Sequence, residues 1–294
     1  MAGSTLAEAP EFLTARELAD LLRVKERRVY DLAAAGEVPC ARVTGKLLFP
    51  REALRAWLEA AAEGPAAGAA RPSVFLGSHD PLLDWALRES GAAIPSFFDG
   101  SADGLARFAA REGIAAGLHL RDPVSGAWSV PAVAAGAGRG AVLVGFCTRR
   151  RGMLMPAGRG APRLSALAGR RVIRRQSGSG AQALFAHVLA EAGLEPAAFP
   201  AAGEARSEAD AALAVAEGRA EAAFGLEALA APYGLDFLPL LEEPFDLLVD
   251  RAAWFEPPMQ RFLAFCASPA FEARAATMPG HDITAFGRVR WNDA

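Results

Sequence analysis

The sequence predicts an α/β protein made of a small N-terminal module and a larger C-terminal domain. Residues 61–72 are rich in Ala, Gly and Pro and poor in large side chains, which is typical of a linker. Beyond residue 73, short apolar runs alternate with helical patterns, which favours α/β layers around a largely parallel sheet. A chain of 294 residues is long enough for both units.

The first module, residues 11–60, carries a series of local signals. Thr14 and Glu17 have the spacing of a capping box and start a first helix. A second helix runs through KERRVYDLAAAG and ends at Gly36, while VPCARV and KLLF predict a β-hairpin. Pro50 is expected to open a third helix as its first residue. The order helix, turn, helix, hairpin, helix is that of a winged helix-turn-helix.

Residues 13–58, LTARELADLLRVKERRVYDLAAAGEVPCARVTGKLLFPREALRAWL, resemble the winged helix-turn-helix domains of the excisionase and MerR-like type. The resemblance implies a second helix in the major groove of a double-stranded DNA operator, with the hairpin near the backbone or minor groove. The candidate DNA-binding residues are Lys25, Arg27, Arg28, Tyr30, Arg42 and Lys46. Acidic Glu26 and Asp31 keep a protein–protein module as the alternative. Because one module makes few phosphate contacts, a homodimer on two half-sites is expected.

Three strand-to-helix junctions of the large domain carry small polar residues: Gly77-Ser78, Gly100-Ser101 and the SGSG loop at 177–180. Helix N-termini expose unpaired N–H groups and favour an anion, and the serines add hydroxyl donors. Any one junction alone is better explained as an ordinary N-cap, but three together favour a ligand cleft. A nucleotide P-loop is disfavoured, because SGSGAQ lacks the GK[ST] sequence.

The large domain resembles the type 2 periplasmic-binding-protein fold, and most of all the molybdate-binding-like domains fused to helix-turn-helix regulators. The matching stretches include LGSHDPLLDWAL, RRQSGSGAQALFAHVLAEAG and MPGHDITAFG. The resemblance implies a two-lobed α/β domain over residues 73–290, with lobe I at 73–148 and 245–290 and lobe II at 149–244. It also implies crossovers near 148–156 and 238–249, and a small anionic effector, with molybdate or tungstate as the first expectation.

The candidate ligand-binding residues lie at the three junctions and at the end of one more strand: Gly77, Ser78, His79, Ser101, His119, Arg175, Gln176, Ser177, Gly178, Ser179, Gly180 and Ala181. Where the family loop continues with Thr and Arg, this chain has Ala181 and Gln182, so a hydroxyl and a cation are missing. Arg174 and Arg175 could replace the cation, or could be a strand end reaching solvent. A larger anionic metabolite, such as a molybdenum-cofactor-like compound, is therefore a competing ligand.

Several titratable residues have two interpretations. His119 ends an apolar strand, so it lies either at the cleft rim or in the core with its hydrogen bonds satisfied. Asp80 would repel an anion unless it points away as a first-turn acid. His281 is taken as structural. Glu242, Glu243 and Asp246 fall at a crossover, where a salt bridge to a local arginine is the simplest explanation.

The remaining features favour a regulator over an enzyme. The three cysteines are far apart, and neither a metal-spaced cluster nor a Ser-His-Asp order is evident, so no metal or cofactor is expected. The N-terminus lacks a signal-peptide pattern and no apolar run could span a bilayer, which predicts a cytoplasmic protein without a membrane partner. We therefore expect a one-component transcriptional regulator. An enzyme or a cofactor carrier on the same two-lobed fold is the alternative.

Overall fold

The computed structural model describes residues 11–43, 45–61, 71–159, 161–176 and 179–293. The chain divides into two compact units, Met1–Ala69 and Ala70–Ala294. No helix in the described ranges is long and apolar enough to cross a membrane.

The first unit combines three helices with a three-stranded antiparallel sheet of order β1-β3-β2. Its elements are β1 (Phe12–Thr14), α1 (Ala15–Leu22), α2 (Glu26–Ala35), β2 (Ala41–Val43), β3 (Lys46–Pro50) and α3 (Arg51–Ala61). The capping box is present as predicted: Thr14 Oγ1 accepts from the Glu17 N–H, and Glu17 Oε2 accepts from the Thr14 N–H. Leu18, Val29 and Phe49 are fully buried between the helices and the sheet.

The expectation for Pro50 was wrong. Pro50 is the last residue of β3, opposite Phe12 of β1, and α3 begins only at Arg51. The sequence analysis did not predict β1, whose pairing with β3 keeps residue 50 extended. Tertiary pairing thus overrides the local preference of proline for the first helical position.

The second unit contains a ten-stranded sheet with helices packed on it. Its first elements are β4 (Phe75–Gly77), α4 (Pro81–Glu89), β5 (Ser96–Phe98), α5 (Ser101–Ala109), β6 (Ala115–Leu118), α6 (Val130–Gly136), β7 (Ala141–Pro156), β8 (Val172–Arg175) and α7 (Gly180–Glu191). There follow β9 (Ala201–Ala205), α8 (Glu208–Ala216), β10 (Ala222–Leu226), β11 (Leu235–Asp250), α9 (Arg251–Trp254), α10 (Pro257–Cys266), α11 (Pro269–Ala276), β12 (His281–Asp282) and β13 (Val289–Asn292). Short 3₁₀ helices connect several of them.

The two 16-residue strands β7 and β11 pair antiparallel along their whole length and run through the middle of the sheet. On one side, β11 carries the parallel strands β6, β4 and β5. On the other side, β7 carries β10, followed by the parallel strands β8 and β9. We call the β4–β6 side, with α4 and α5, the first lobe, and the β8–β10 side, with α7 and α8, the second lobe.

Two glycines bring the start of α5 against the end of β4. Gly77 has φ 98°, and a Cβ there would lie 2.3 Å from the carbonyl oxygen of Gly117. A Cβ on Gly104 of α5 would lie 2.2 Å from the Gly77 Cα. Only backbone without side chains allows this approach, and it carries the α5 N-terminus to the carboxyl end of the first-lobe strands.

Candidate functional site

A cleft forms where strand ends and helix N-termini of the two lobes face each other. The first lobe lines it with Ser78, His79, Phe98, Gly100 and His119, and the second with Arg175, Gln176, Ser179, Gly180, Ala181, Arg206 and Glu208. The free volume between these walls is about 10 Å³, which is room for one water molecule. The lobes are therefore closed on each other, and a ligand the size of an oxyanion requires them to part slightly.

The first-lobe wall presents neutral hydroxyl and amide donors. Ser78 Oγ lies 2.7 Å from Ser101 Oγ, and Ser101 Oγ also accepts from the His119 N–H at 3.1 Å. Ser101 is fully buried behind Ser78, so it orients the Ser78 hydroxyl rather than lining the cleft. Gly100, at the N-cap of α5, offers no side-chain cap, which leaves the first-turn N–H groups of α5 without that partner.

The second-lobe wall begins at α7. Ser179 caps this helix, because its Oγ accepts from the Gln182 N–H at 3.1 Å. Gln182 turns away from the cleft and accepts from the Arg175 N–H at 3.0 Å. Gly180 lies against the first lobe: a Cβ there would be 3.0 Å from His119 Cε1. Ser177 and Gly178 lie outside the described residues.

Both arginines before the loop are held by neighbouring groups of the second lobe. Arg174 donates to the carbonyl oxygens of Pro196 and Phe199. Arg175 lines the cleft, but its guanidinium donates to Glu208 Oε1 at 2.7 Å and also to two backbone carbonyls. Both guanidinium groups thus have protein partners, and of the two only Arg175 lines the cleft.

Arg206 is a cleft-lining cation that the sequence analysis missed. Its side chain is exposed, and no hydrogen bond or ion pair of the guanidinium is found within the described ranges. It stands at a fourth strand-to-helix junction, between β9 and α8, where Ser207 and Asp210 form a capping box. That capping box was the available signal, because it marks a helix start directly after a short strand.

His119 lies in the interior of the cleft wall. It is 3% exposed, and its Nδ1 lies 3.1 Å from Glu243 Oε2. Burial lowers the pKa of this imidazole, Glu243 opposes the effect, and Arg149 and Arg151 add to it. Both interpretations of His119 are thus partly correct, because the ring is buried and hydrogen-bonded and yet lines the cleft.

Behind the cleft lies an ionic cluster of five fully or almost fully buried residues, namely Asp80, Arg149, Arg151, Glu208 and Glu243. Arg149 on β7 bridges Asp80 and Glu243, and Arg151 bridges Glu243 and Glu208. Burial alone would raise the pKa of Glu243, but the two guanidinium groups hold it well below its usual range. Likewise, Arg151 and Arg175 outweigh burial and lower the pKa of Glu208 to about 2. All five groups are therefore charged at neutral pH.

The ionic cluster joins the two lobes through the crossing strands. Asp80 caps α4 in the first lobe by accepting from the Leu82 and Leu83 N–H groups, and Glu208 begins α8 in the second. Asp80 thus points away from the cleft. The expected salt bridge of Glu243 is present, with two arginines of the neighbouring strand β7.

Asp80, Cys147 and His281 also place one potential metal ligand each within 4.8 Å of one another. Asp80 already accepts from two backbone N–H groups and from Arg149, and His281 Nε2 lies 3.1 Å from its Oδ2. Burial raises the pKa of the Cys147 thiol well above its usual value, so the thiolate that a metal prefers is disfavoured. The group fits an ion-paired structural cluster better than a cation site.

The candidate DNA-binding residues are all exposed on the first unit. Lys25 is the N-cap of α2, Arg27, Arg28 and Tyr30 lie on α2, Arg42 lies on β2 and Lys46 on β3. Tyr30, Arg42 and Lys46 line one groove together with Glu26, whose carboxylate accepts from the Tyr30 hydroxyl at 3.4 Å. This groove thus carries two basic residues and one acid, Glu26, which contacts Tyr30.

Comparisons with known proteins identify both units. A family profile described as "PBP superfamily domain" matches residues 85–267, more than half of the chain. The chain belongs to the PBP superfamily. A profile described as "Helix-turn-helix domain" matches residues 12–62. Together with the structure, these matches confirm the predicted fold class, α/β with an N-terminal helix-turn-helix and a periplasmic-binding-protein-like domain.

Three similar proteins illustrate the comparisons. The uncharacterized protein YvgK of Bacillus subtilis (strain 168) is 27% identical over 303 residues, covering 94% of this chain and 96% of YvgK. A phosphate ABC transporter substrate-binding protein with bound phosphate, from Clostridium perfringens, has a TM-score of 0.54 at 10% identity, covering 71% of this chain and 98% of the other. OxyR from Corynebacterium glutamicum has a TM-score of 0.49 at 13% identity, covering 90% and 89%.

The two domains together define the broad class of the protein. A helix-turn-helix domain implies DNA as a partner, and a PBP-like domain implies a small ligand. The combination is that of a DNA-binding regulator with a ligand-binding domain. The specificity for molybdate or tungstate that the sequence suggested is not shown by these matches.

Proposed function

We propose that the protein is a one-component transcriptional regulator that binds a small oxyanion in the cleft between its two lobes. One observation carries the proposal: neutral donors at helix N-termini of both lobes converge on a single small cleft, with the guanidinium of Arg206 beside them. Such an arrangement suits an anion of few atoms, because each oxygen meets a hydroxyl or an N–H group and one cation balances part of the charge.

The size of the cleft favours a small ligand over a large one. With walls leaving about 10 Å³, a modest parting of the lobes admits a tetrahedral oxyanion, whereas a cofactor-sized metabolite requires a wide opening. Molybdate and tungstate remain the ligands that the sequence resemblance implies. The alternative of a larger, molybdenum-cofactor-like metabolite is disfavoured by this geometry.

Closure of the lobes is the proposed signal. A ligand that binds better between closed lobes shifts the protein toward that state by its difference in affinity. The ionic cluster bears on this step, because Asp80 and Glu208 belong to helices of opposite lobes and are held by the same strand, β7. A movement of one lobe relative to the other would therefore change the ion pairs that these residues make with Arg149 and Arg151 of β7.

Two measurements on the full chain test the proposal. Isothermal titration calorimetry with phosphate, molybdate, tungstate and sulfate measures binding in the cleft, with Ser78→Ala as the variant and exposed Arg88→Ala as the control. We expect at least one anion to bind the native protein and the Arg88 variant, and to bind the Ser78 variant more weakly. Binding unaffected by Ser78→Ala would place the ligand elsewhere.

DNA binding is tested by selecting duplexes from a random library and measuring their affinity by fluorescence anisotropy. Replacing Arg27 and Arg28 with Ala is expected to weaken binding and to reduce its salt dependence, because two phosphate or base contacts are lost. Arg16→Ala on α1 is the control, since it is exposed and outside the predicted reading surface. If no duplex is enriched, the regulator proposal fails independently of the anion titrations.

A further inference from the structure

The two ring nitrogens of His119 have different surroundings. Nδ1 lies 3.1 Å from Glu243 Oε2, on the side of the ionic cluster. On the cleft side, the ring meets the start of α7, where a Cβ on Gly180 would lie 3.3 Å from Nε2. No hydrogen bond reaches Nε2 from the residues that the structure describes. A polar atom of a 97%-buried side chain is therefore left facing the cleft.

The partner of Nδ1 determines which nitrogen carries the proton. Glu243 is ionised, because it holds the guanidinium groups of both Arg149 and Arg151. An ionised carboxylate only accepts hydrogen bonds, so Nδ1 must donate. In the neutral ring Nε2 then has no hydrogen and presents a lone pair to the cleft.

Burial favours this neutral ring, whereas the nearest charged group, Glu243, favours the protonated one. Glu243 on β11 faces it directly, and Arg149 and Arg151 on β7 lie behind Glu243. The neighbouring elements α5 and α7 present Ser101 and Gly180, which are uncharged. Burial, supported by the two arginines, lowers the pKa of His119 against the opposing influence of Glu243.

A second acceptor lies in the cleft. Gln176 Oε1 is buried and has no hydrogen-bond partner within the described ranges. Besides its donors, the cleft thus offers acceptor atoms on both lobes, among them His119 Nε2 and Gln176 Oε1. Sulfate, molybdate and tungstate are fully deprotonated at neutral pH and offer only acceptors, so their oxygens would meet these lone pairs without a hydrogen between them. An oxyanion with one O–H group offers a donor as well.

From this arrangement we infer that the cleft selects a singly protonated tetrahedral oxyanion, of the hydrogen phosphate type, whose O–H donates to His119 Nε2. The inference rests on the proposed function and names the ligand class of the same cleft. His119 acts in it as a specificity-determining residue, and Glu243 positions it by fixing its tautomer. Discrimination follows because a buried acceptor left unpaired disfavours the deprotonated anions.

The first test is calorimetry on the full chain at pH 8, where phosphate keeps one proton and sulfate, molybdate and tungstate keep none. We expect phosphate to bind at least tenfold more tightly than each of the other three. If any of those three binds as tightly as phosphate, the inference is overturned while the oxyanion-sensing proposal stands. If none of the four binds, both are overturned, and the DNA selection alone decides whether the protein is a regulator.

The second test uses His119→Phe, which keeps a flat ring of similar size and removes Nε2. We expect phosphate affinity to fall at least tenfold and the preference over sulfate and molybdate to disappear. His187→Phe is the matched control, because His187 lies on α7 outside the cleft lining and should leave the preference intact. A His119 variant that folds, by circular dichroism, and still prefers phosphate tenfold would overturn the inference.

A third measurement needs no variant. Titrations of the native protein at pH 8 in two buffers of different ionisation enthalpy report the protons taken up on binding. We expect phosphate binding to take up none, because the ring stays neutral and the ligand brings the proton. Uptake of about one proton with phosphate would show an imidazolium at His119 and would overturn the inference.

Discussion

The cleft and the ionic cluster share a wall, but they differ in how far their charged groups are paired with one another. In the ionic cluster, each charged group is buried and contacts at least one group of opposite charge, so the five residues form a continuous chain of ion pairs. In the cleft, the donors are neutral, and Arg206 is exposed and free of such partners within the described ranges. The cluster therefore contributes to the position of the walls, whereas the cleft keeps Arg206 and the N–H groups at the start of α5 available for a ligand.

The largest expected effect comes from removing the central carboxylate of the cluster. Glu243→Gln leaves Arg149 and Arg151 buried with one negative partner fewer, which should lower the free energy of unfolding by about 3–5 kcal/mol. Urea denaturation followed by circular dichroism measures this loss. The matched control is Glu242→Gln at the exposed neighbouring position, where we expect a change of less than about 0.5 kcal/mol. Equal effects of the two substitutions would contradict the role of the cluster.

A second prediction concerns a buried acid outside the cluster. Burial raises the pKa of Asp246 to about 6, although Arg290 and Ser129 act in the other direction. Because the folded-state pKa lies above the unfolded value, ionisation of Asp246 removes stability as pH rises from about 4 through 6. Asp246→Asn should therefore stabilise the protein by up to about 3 kcal/mol at pH 8 and by almost nothing at pH 4.

Thermal and urea unfolding of the native chain and the Asp246→Asn variant between pH 4 and pH 8 measure this difference. Asp236→Asn, a substitution on the same strand β11 at a less buried position, is the control for the loss of one negative charge. A stability difference that does not change with pH would contradict the raised pKa of Asp246. The stability of the protein is thus expected to fall when the cluster loses a carboxylate and to rise when Asp246 is neutralised.

The cleft was largely accessible to sequence analysis, and the cluster was not. Ser78 and Gly180 were found because strand ends followed by small polar residues are local signals, and parallel strands bring such ends to one edge. Asp80 and Arg149 lie 69 positions apart, and Arg151 and Glu243 lie 92 apart, so their pairing depends on strand register that the sequence pattern does not encode. For the same reason, the tautomer of His119 could be assigned only once Glu243 was found beside it.

A third prediction tests how closely the two lobes approach in the cleft. Gly180→Ala places a methyl group 3.0 Å from His119 Cε1 and 3.3 Å from Nε2, so the ring, which contacts Glu243 and Phe245, must shift by a few tenths of an ångström or the lobes must part. We expect phosphate affinity to fall roughly tenfold, or about 1.4 kcal/mol, with little loss of stability because alanine favours helices. Gly136→Ala in α6 is the control, since its Cβ would make ordinary contacts 3.7 Å from Leu105. Unchanged phosphate affinity in Gly180→Ala would argue that the lobes part so widely on binding that Gly180 no longer approaches His119.

The smallest effect is expected at Arg206. Its exposed charge is predicted to act on ligand binding and not on stability, unlike the buried charges of the ionic cluster. Arg206→Ala removes an exposed cation and should leave the free energy of unfolding within about 0.5 kcal/mol of the native value. Its loss should reduce phosphate affinity by about 1 kcal/mol, roughly fivefold, at low ionic strength, and by less at high salt, because an exposed charge is screened. Calorimetric titrations at two salt concentrations measure both quantities.

Arg175→Ala is the contrasting variant, because Arg175 lines the same cleft but contacts Glu208 at 2.7 Å. Its removal takes a positive partner from a buried carboxylate, so stability should fall while the salt dependence of phosphate binding stays as in the native protein. The two arginines lie 31 positions apart in the sequence and both line the cleft. We nevertheless expect Arg175→Ala to change the stability and Arg206→Ala to change the salt dependence of phosphate binding. If Arg206→Ala destabilises the protein and Arg175→Ala alters only the salt dependence of phosphate binding, then Arg206 has the stabilising role and Arg175 the ligand-facing role, contrary to our assignment.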